Sequence, residues 1–292
     1  MGKRKACFKG SWYPESRNEC ESFINECLKG ENRVIKGDFT GSVVPHAGWY
    51  YSGSIACRTI ASLAGSYDLG KGADCVVVFG LHMGRDGSVV FMESGSVETP
   101  LGDIDIHGEL GQKAAAAAEK EGVRISGHSC HSFPEENTIE LQLPFIKYFF
   151  KNCPILPMGV PLNQDAVKTG RAVFHGAKSL GLDIAVIGST DLTHYGHTFG
   201  FTPAGNGRAG YEWVKNKNDA SAVKALISMD CDAILENGML KHNMCCAGAA
   251  AAAAELSRLS GAVKGIEVEY ASSYDKSPGE SFVGYAGVLF SL

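Results

Sequence analysis

The chain has 292 residues, with 27 basic against 32 acidic side chains for a formal charge of −5, 45 % hydrophobic residues and 20 % charged ones. That composition can bury enough apolar surface to offset the entropy of ordering, which excludes a disordered chain. The acidic balance, with no Lys/Arg run after Lys3-Arg4-Lys5, excludes a basic nucleic-acid footprint. No apolar run reaches the ~20 residues that a membrane helix needs, and the start lacks the apolar stretch of a signal peptide, so a cytoplasmic protein is expected.

In chain order, the pattern predicts a helix over 16–29, a strand at 42–44, a helix over 53–65 and a strand at 75–79 (CVVVF). A helix over 109–121 follows, built on five alanines, Ala114 to Ala118, the residue of highest helix propensity. Next come a helix over 138–151, a strand at 155–160, a helix over 165–180, a strand at 184–187, and helices over 217–228 and 245–260. Two strands, 266–270 and 283–290, close the chain. Alternation of this kind predicts an α/β fold, with helices flanking a largely parallel or mixed central sheet. No linker, composition break or internal repeat divides the chain, so one domain over 1–292 is expected. The ten cysteines are scattered without a CxxC pair, which reads as reduced, mostly buried thiols. Neither GxGxxG nor GxxxxGK[ST] is present, so no phosphate cradle is indicated.

Three polar constellations follow three apolar runs: Pro45-His46-Ala47-Gly48, Gly80-Leu81-His82, and Ser189-Thr190-Asp191-Leu192-Thr193-His194. Parallel strands place their carboxyl ends on one edge, where ligands bind in open α/β sheets. His46, His82, Asp191 and His194 are therefore expected to converge. Cys245 and Cys246 open the Ala-rich helix 245–260, with Asn243 available as its N-cap, and a thiol in a first helical turn is biased toward thiolate, the metal-binding form. Two buried packing cysteines are the alternative. Glu136 and Glu140 lie four apart, on one face of a helix. His128, Cys130 and His131 read as a surface cluster on a loop, and His107, His175, His197 and His242 carry no functional signal.

These motifs together resemble the Memo family, known in bacteria and archaea as AmmeMemoRadiSam system protein B. The likeness runs from Gly10-Ser11-Trp12-Tyr13-Pro14 through Pro45-His46-Ala47-Gly48 with Tyr51-Ser52-Gly53, then Ile139-Glu140-Leu141-Gln142-Leu143-Pro144, Ser189 to Gly196 and Asn243 to Ala247, to the closing strand Ser281 to Leu289. The family is similar in fold to class III extradiol ring-cleaving dioxygenases. The resemblance implies a metal held by His46, His82 and Cys246, with Asp191 and His194 facing it as catalytic groups, and a substrate pocket including Trp49, Tyr51, Glu140 and Tyr195. Three positions depart from the family pattern. The segment before His82 is one residue shorter, Asn137 stands where relatives carry histidine, and Ala247 replaces a glycine.

The implied cofactor is Fe(II), with copper or Zn(II) as alternatives, because thiolate favours softer ions. The implied activity is metal-dependent redox or oxygenase-like chemistry. The competing readings are a Zn-dependent hydrolase and a non-catalytic module binding a tyrosine-containing peptide. A small aromatic molecule fits the same aromatic rim, Trp49, Tyr50, Tyr51 and Tyr195. Association with an AMMECR1-like protein and a radical SAM protein is implied by the family name alone.

Overall fold

The computed structural model describes residues 2–30, 34–67 and 72–292. Its centre is four parallel strands in the spatial order Phe39–Val44, Ile184–Ser189, Cys75–Gly80 and Ile155–Gly159. All four are buried along their whole length, as strands covered on both faces must be. Alternation decides which side each residue serves. In Cys75–Gly80, the side chains of Cys75, Val77 and Phe79 enter one core cluster, whereas Val76 and Val78 enter the other.

The sheet is mixed. Val89–Ser94 runs antiparallel to Ile155–Gly159 and carries Ile125–Ser129 parallel beside it. At the other side Phe282–Ser291 runs antiparallel to Phe39–Val44 and pairs with Lys264–Ser272. A separate three-stranded sheet joins Lys3–Arg4, Ser96–Val97 and Ile104–Asp105. The α/β architecture with flanking helices is thus the one the alternation predicts. No helix among the described residues is long and apolar enough to cross a membrane.

Several elements differ from the sequence expectation for identifiable reasons. The helix expected over 138–151 is two helices, Asn137–Glu140 and Leu143–Phe149, with Pro144 in the first turn of the second, where its missing amide hydrogen costs nothing. The strands Val89–Ser94 and Ile125–Ser129 and the helix Cys231–Lys241 were not anticipated. Ile125–Ser129 buries only its first residue, so it lacks the apolar signature of a core strand.

The Ala-rich helix runs from Ala247 to Leu259 and is buried on every side from Ala247 to Ser257. Its alanines permit close approach. A Cβ added at Gly188 of the sheet would lie 2.8 Å from the Ala249 carbonyl oxygen, and one at Gly170 of the helix Gln164–Leu180 would lie 2.5 Å from that of Ala252. Small residues here set a sheet-to-helix distance that larger side chains would forbid. That packing brings the start of the helix to the carboxyl ends of the parallel strands.

Candidate metal centre

His46 follows the strand Phe39–Val44, His82 follows Cys75–Gly80, and the two cysteines precede the Ala-rich helix. The ligand atoms of His46, His82, Cys245 and Cys246 all lie within 4.8 Å of one another. The imidazoles of His46 and His82 stand edge to face, with centroids 5.0 Å apart. Cys245 Sγ is 3.2 Å from His46 Nε2 and 3.9 Å from Cys246 Sγ. Bonds of about 2.0–2.3 Å around a tetrahedral ion give donor spacings of about 3.3–3.8 Å. Two imidazoles and two thiols are also the donor set of a borderline or soft ion such as iron, copper or zinc, and a poor one for Mg²⁺ or Ca²⁺. The residues present therefore fit a metal of that class.

The backbone around these ligands is gripped from several directions. His46 donates its amide to Asp191 Oδ1 at 2.7 Å, Asn137 Nδ2 donates to the His46 carbonyl at 3.2 Å, and Gln142 Nε2 donates to the Pro45 carbonyl at 2.9 Å. Leu81, just before His82, is a non-glycine residue in the left-handed region at φ 69°. Such a conformation persists where its surroundings over-determine it. Here the Leu81 amide donates to Thr138 Oγ1 at 2.8 Å, and its carbonyl accepts from Cys246 Sγ at 3.5 Å. The cysteine limb is fixed by the Cys245 amide on the Asp191 carbonyl at 3.2 Å and the Cys246 amide on Thr190 Oγ1 at 3.0 Å. Asn243 does not cap the helix. Its side-chain amide instead donates to the Asn218 carbonyl and to Asn237 Oδ1, and Cys246 occupies the cap position.

Charge at the centre follows from this geometry. Burial alone would raise the Cys245 thiol, but the Cys246 hydrogen bond, the positive charge of His46 and hydrogen bonds from His46 and His82 hold it well below the usual thiol range. Burial would lower His46, yet the neighbouring Cys245 thiolate and Asp191 raise it to about 9. Burial raises Cys246, reinforced by the charge on Cys245, and burial also raises Asp191 against the pull of His46 and His194.

His46 and His82 of the centre line a cleft of about 500 Å³. His194 and Asp191 line it beside His46 and His82, and Trp12, Tyr50, Tyr51 and Phe199 form its aromatic walls. None of the described residues lining it is Lys or Arg. Of the residues expected in a substrate pocket and its aromatic rim, Tyr50 and Tyr51 line this cleft, and Trp49, Glu140 and Tyr195 do not. Trp49 is buried, stacked on Phe145 at 4.0 Å, with Nε1 donating to the Leu141 carbonyl. Tyr195 is fully buried, and its hydroxyl donates to the Gly205 carbonyl. Glu140 accepts from the Cys7 and Phe8 amides at 3.0 and 2.7 Å and from the Tyr13 hydroxyl at 3.1 Å, so it clamps the amino-terminal segment. That segment delivers Trp12, whose carbonyl accepts the Trp49 amide at 2.8 Å. Trp12 and Phe199 were not among the expected pocket residues. For Trp12 the signal was present in Gly10-Ser11-Trp12-Tyr13-Pro14; for Phe199, in the stretch just after His194, no signal separates it from any exposed aromatic residue. Among the described residues no metal-type cluster forms around His128, Cys130 and His131.

Comparison with known proteins gives matches along nearly the whole chain. The model of the family described as Memo-like protein matches residues 4–289. A MEMO1 family protein of Thermococcus kodakarensis is 31 % identical, covering 96 % of this chain and 97 % of its own. One from Pyrococcus furiosus is 29 % identical, covering 98 % of each. An uncharacterized Escherichia coli protein of known structure is similar with a TM-score of 0.47 at 12 % identity, covering 87 % of this chain and 100 % of its own. With the family model spanning both histidine strands, the cysteine pair and the closing strand, the chain belongs to the Memo family.

Proposed function

We propose that the protein is a metal-dependent redox enzyme acting on a small uncharged aromatic compound. The observation that carries this is the cluster of two imidazoles and two thiols within 4.8 Å of one another, whose two histidines line an aromatic-walled cleft beside His194 and Asp191. Residues His46 and His82, with the cysteine pair, would hold iron or copper, which supplies one-electron chemistry that side chains cannot. Tyr50, Tyr51, Trp12 and Phe199 would hold an aromatic ring by stacked and edge contacts. The lack of any Lys or Arg in the lining favours an uncharged ring over a phosphorylated one. His194 would take or return the proton of a substrate hydroxyl at a ring nitrogen. The Asp191 carboxylate has one oxygen committed to the His46 amide, so it orients that limb and leaves its other oxygen to the cleft.

The test is elemental mass spectrometry of anaerobically purified protein, wild type beside a His46→Ala/His82→Ala double variant, followed by oxygen uptake with a panel of phenols and catechols. Near-stoichiometric iron or copper, lost in the variant, with oxygen uptake on at least one substrate, is expected. Zinc alone, with activity independent of oxygen, would replace this reading by a hydrolase. No metal after reconstitution would overturn it and leave a binding module.

A further inference from the structure

Ser189 ends the strand Ile184–Ser189 and is completely buried, a place where a hydroxyl must account for its hydrogen. Its Oγ lies 2.6 Å from the Thr138 carbonyl oxygen, which can only accept, so the hydroxyl hydrogen points there. The same Oγ lies 3.0 Å from His46 Nδ1. With its one hydrogen already committed, Oγ offers that nitrogen only a lone pair. Nδ1 must then carry a hydrogen, whatever the state of the other ring nitrogen. Gln142 Nε2, a pure donor 3.5 Å from Oγ, reinforces the same direction.

We propose that Ser189 is a positioning residue that keeps a proton on His46 Nδ1 and thereby reserves Nε2, which faces Cys245 Sγ, as the ring's only ligand atom. A histidine ligand is oriented by the bond its other nitrogen makes, usually to a carboxylate or carbonyl. Here a serine transmits the acceptor strength of a carbonyl. Thr138 serves both histidine limbs. Its carbonyl anchors Ser189 under His46, and its hydroxyl accepts the amide of Leu81 next to His82 and donates to Glu136. The segment Glu136-Asn137-Thr138 therefore sets the two imidazoles relative to each other, and Asn137 also lines the cleft.

The inference builds on the metal reading above, but the proton on Nδ1 is a property of the metal-free protein as well. The experiment is long-range ¹H–¹⁵N NMR on protein labelled with ¹⁵N-histidine, metal-free and after adding ¹¹³Cd²⁺, for wild type, Ser189→Ala and Thr138→Val. In metal-free wild type, His46 should show a slowly exchanging Nδ1 hydrogen. On loading, cadmium should couple to Nε2 alone. Ser189→Ala should lose the exchange protection and weaken cadmium binding by about 10- to 100-fold. Thr138→Val, which keeps the carbonyl, should retain the Nδ1 hydrogen. An unprotonated Nδ1 in wild type, cadmium coupling to Nδ1, or a Ser189→Ala protein indistinguishable from wild type would each overturn the proposal. A protected Nδ1 hydrogen without any cadmium binding would support the role of Ser189 while removing the metal reading.

Discussion

Cys245 Sγ lies 3.2 Å from His46 Nε2, although 199 positions separate the two residues in the chain. Cys245 is partly buried and Cys246 buried, and the two sulfurs lie 3.9 Å apart. The family resemblance points to Cys246 as the thiol ligand, and the geometry brings both sulfurs within reach of the same point.

If both thiols bind, replacing either should weaken the centre. Cys245→Ser and Cys246→Ser are each expected to lower Zn²⁺ or Cu⁺ affinity at least about tenfold, a loss of about 1.4 kcal/mol or more. In Co²⁺-substituted protein each should remove about half of the thiolate-to-cobalt absorption, because the wild-type centre carries two sulfurs. An unchanged spectrum in one variant would assign the ligand to the other cysteine.

Trp12 on the rim should report ligand entry. Phenols and catechols are expected to quench its fluorescence, and Trp12→Phe should abolish most of the signal. A phosphorylated phenol should bind at least about tenfold more weakly than the parent compound, because the lining holds no Lys or Arg to pair with its phosphate. Fluorescence titration of the pair checks this directly.

Glu140 holds the amino-terminal segment through three donors. Glu140→Ala leaves the Cys7 and Phe8 amides and the Tyr13 hydroxyl without their acceptor, at a cost of about 2–4 kcal/mol. Hydrogen exchange should accelerate at Cys7 and Phe8 ahead of the central strands. The ligand response of Trp12 should weaken with it, since the same segment forms that wall.

Asp219 is fully buried beneath the Thr193 backbone. It accepts the Thr193 amide at 3.0 Å, the Thr193 hydroxyl, and the Tyr270 hydroxyl at 2.8 Å. Burial raises its carboxyl from 3.8 to about 7, against the opposing pull of these hydrogen bonds. A carboxyl whose folded value is raised stabilises the fold below its unfolded value, and that contribution is lost as pH climbs to the folded value. Wild-type stability relative to Asp219→Asn should therefore fall between pH ~4 and pH ~7, by up to about 4 kcal/mol, and stay level above. Denaturant midpoints at pH 5 and 8 for both proteins test the sign.

The Ala-rich helix has no room for larger side chains. Ala250→Leu should destabilise the protein by about 1–3 kcal/mol or more through overpacking. Because the helix start carries the cysteine pair, metal affinity should fall in the same variant. An exposed control such as Ala220→Leu, in the helix Asp219–Ser228, should change neither.

Much of this protein was legible in its sequence. The apolar runs CVVVF at 75–79 and IAVI at 184–187 have no solvent-facing alternation, so burial on both faces and a parallel core followed from local pattern alone. Strand ends at Val44, Gly80 and Ser189 then placed His46, His82 and Asp191 on one edge, because parallel strands share a direction. Tertiary structure decided what periodicity does not encode. Whether an aromatic side chain after a strand faces the cleft or the core depends on helices packed from elsewhere, so Tyr51 reaches the cleft and Trp49 stacks on Phe145. Glu140 became a clamp because the amino-terminal segment, more than a hundred residues away, brings its amides to that carboxylate. The close approach of the Ala-rich helix to Gly188 likewise set the height of the cysteine pair, and with it how many sulfurs the two histidines can share with one ion.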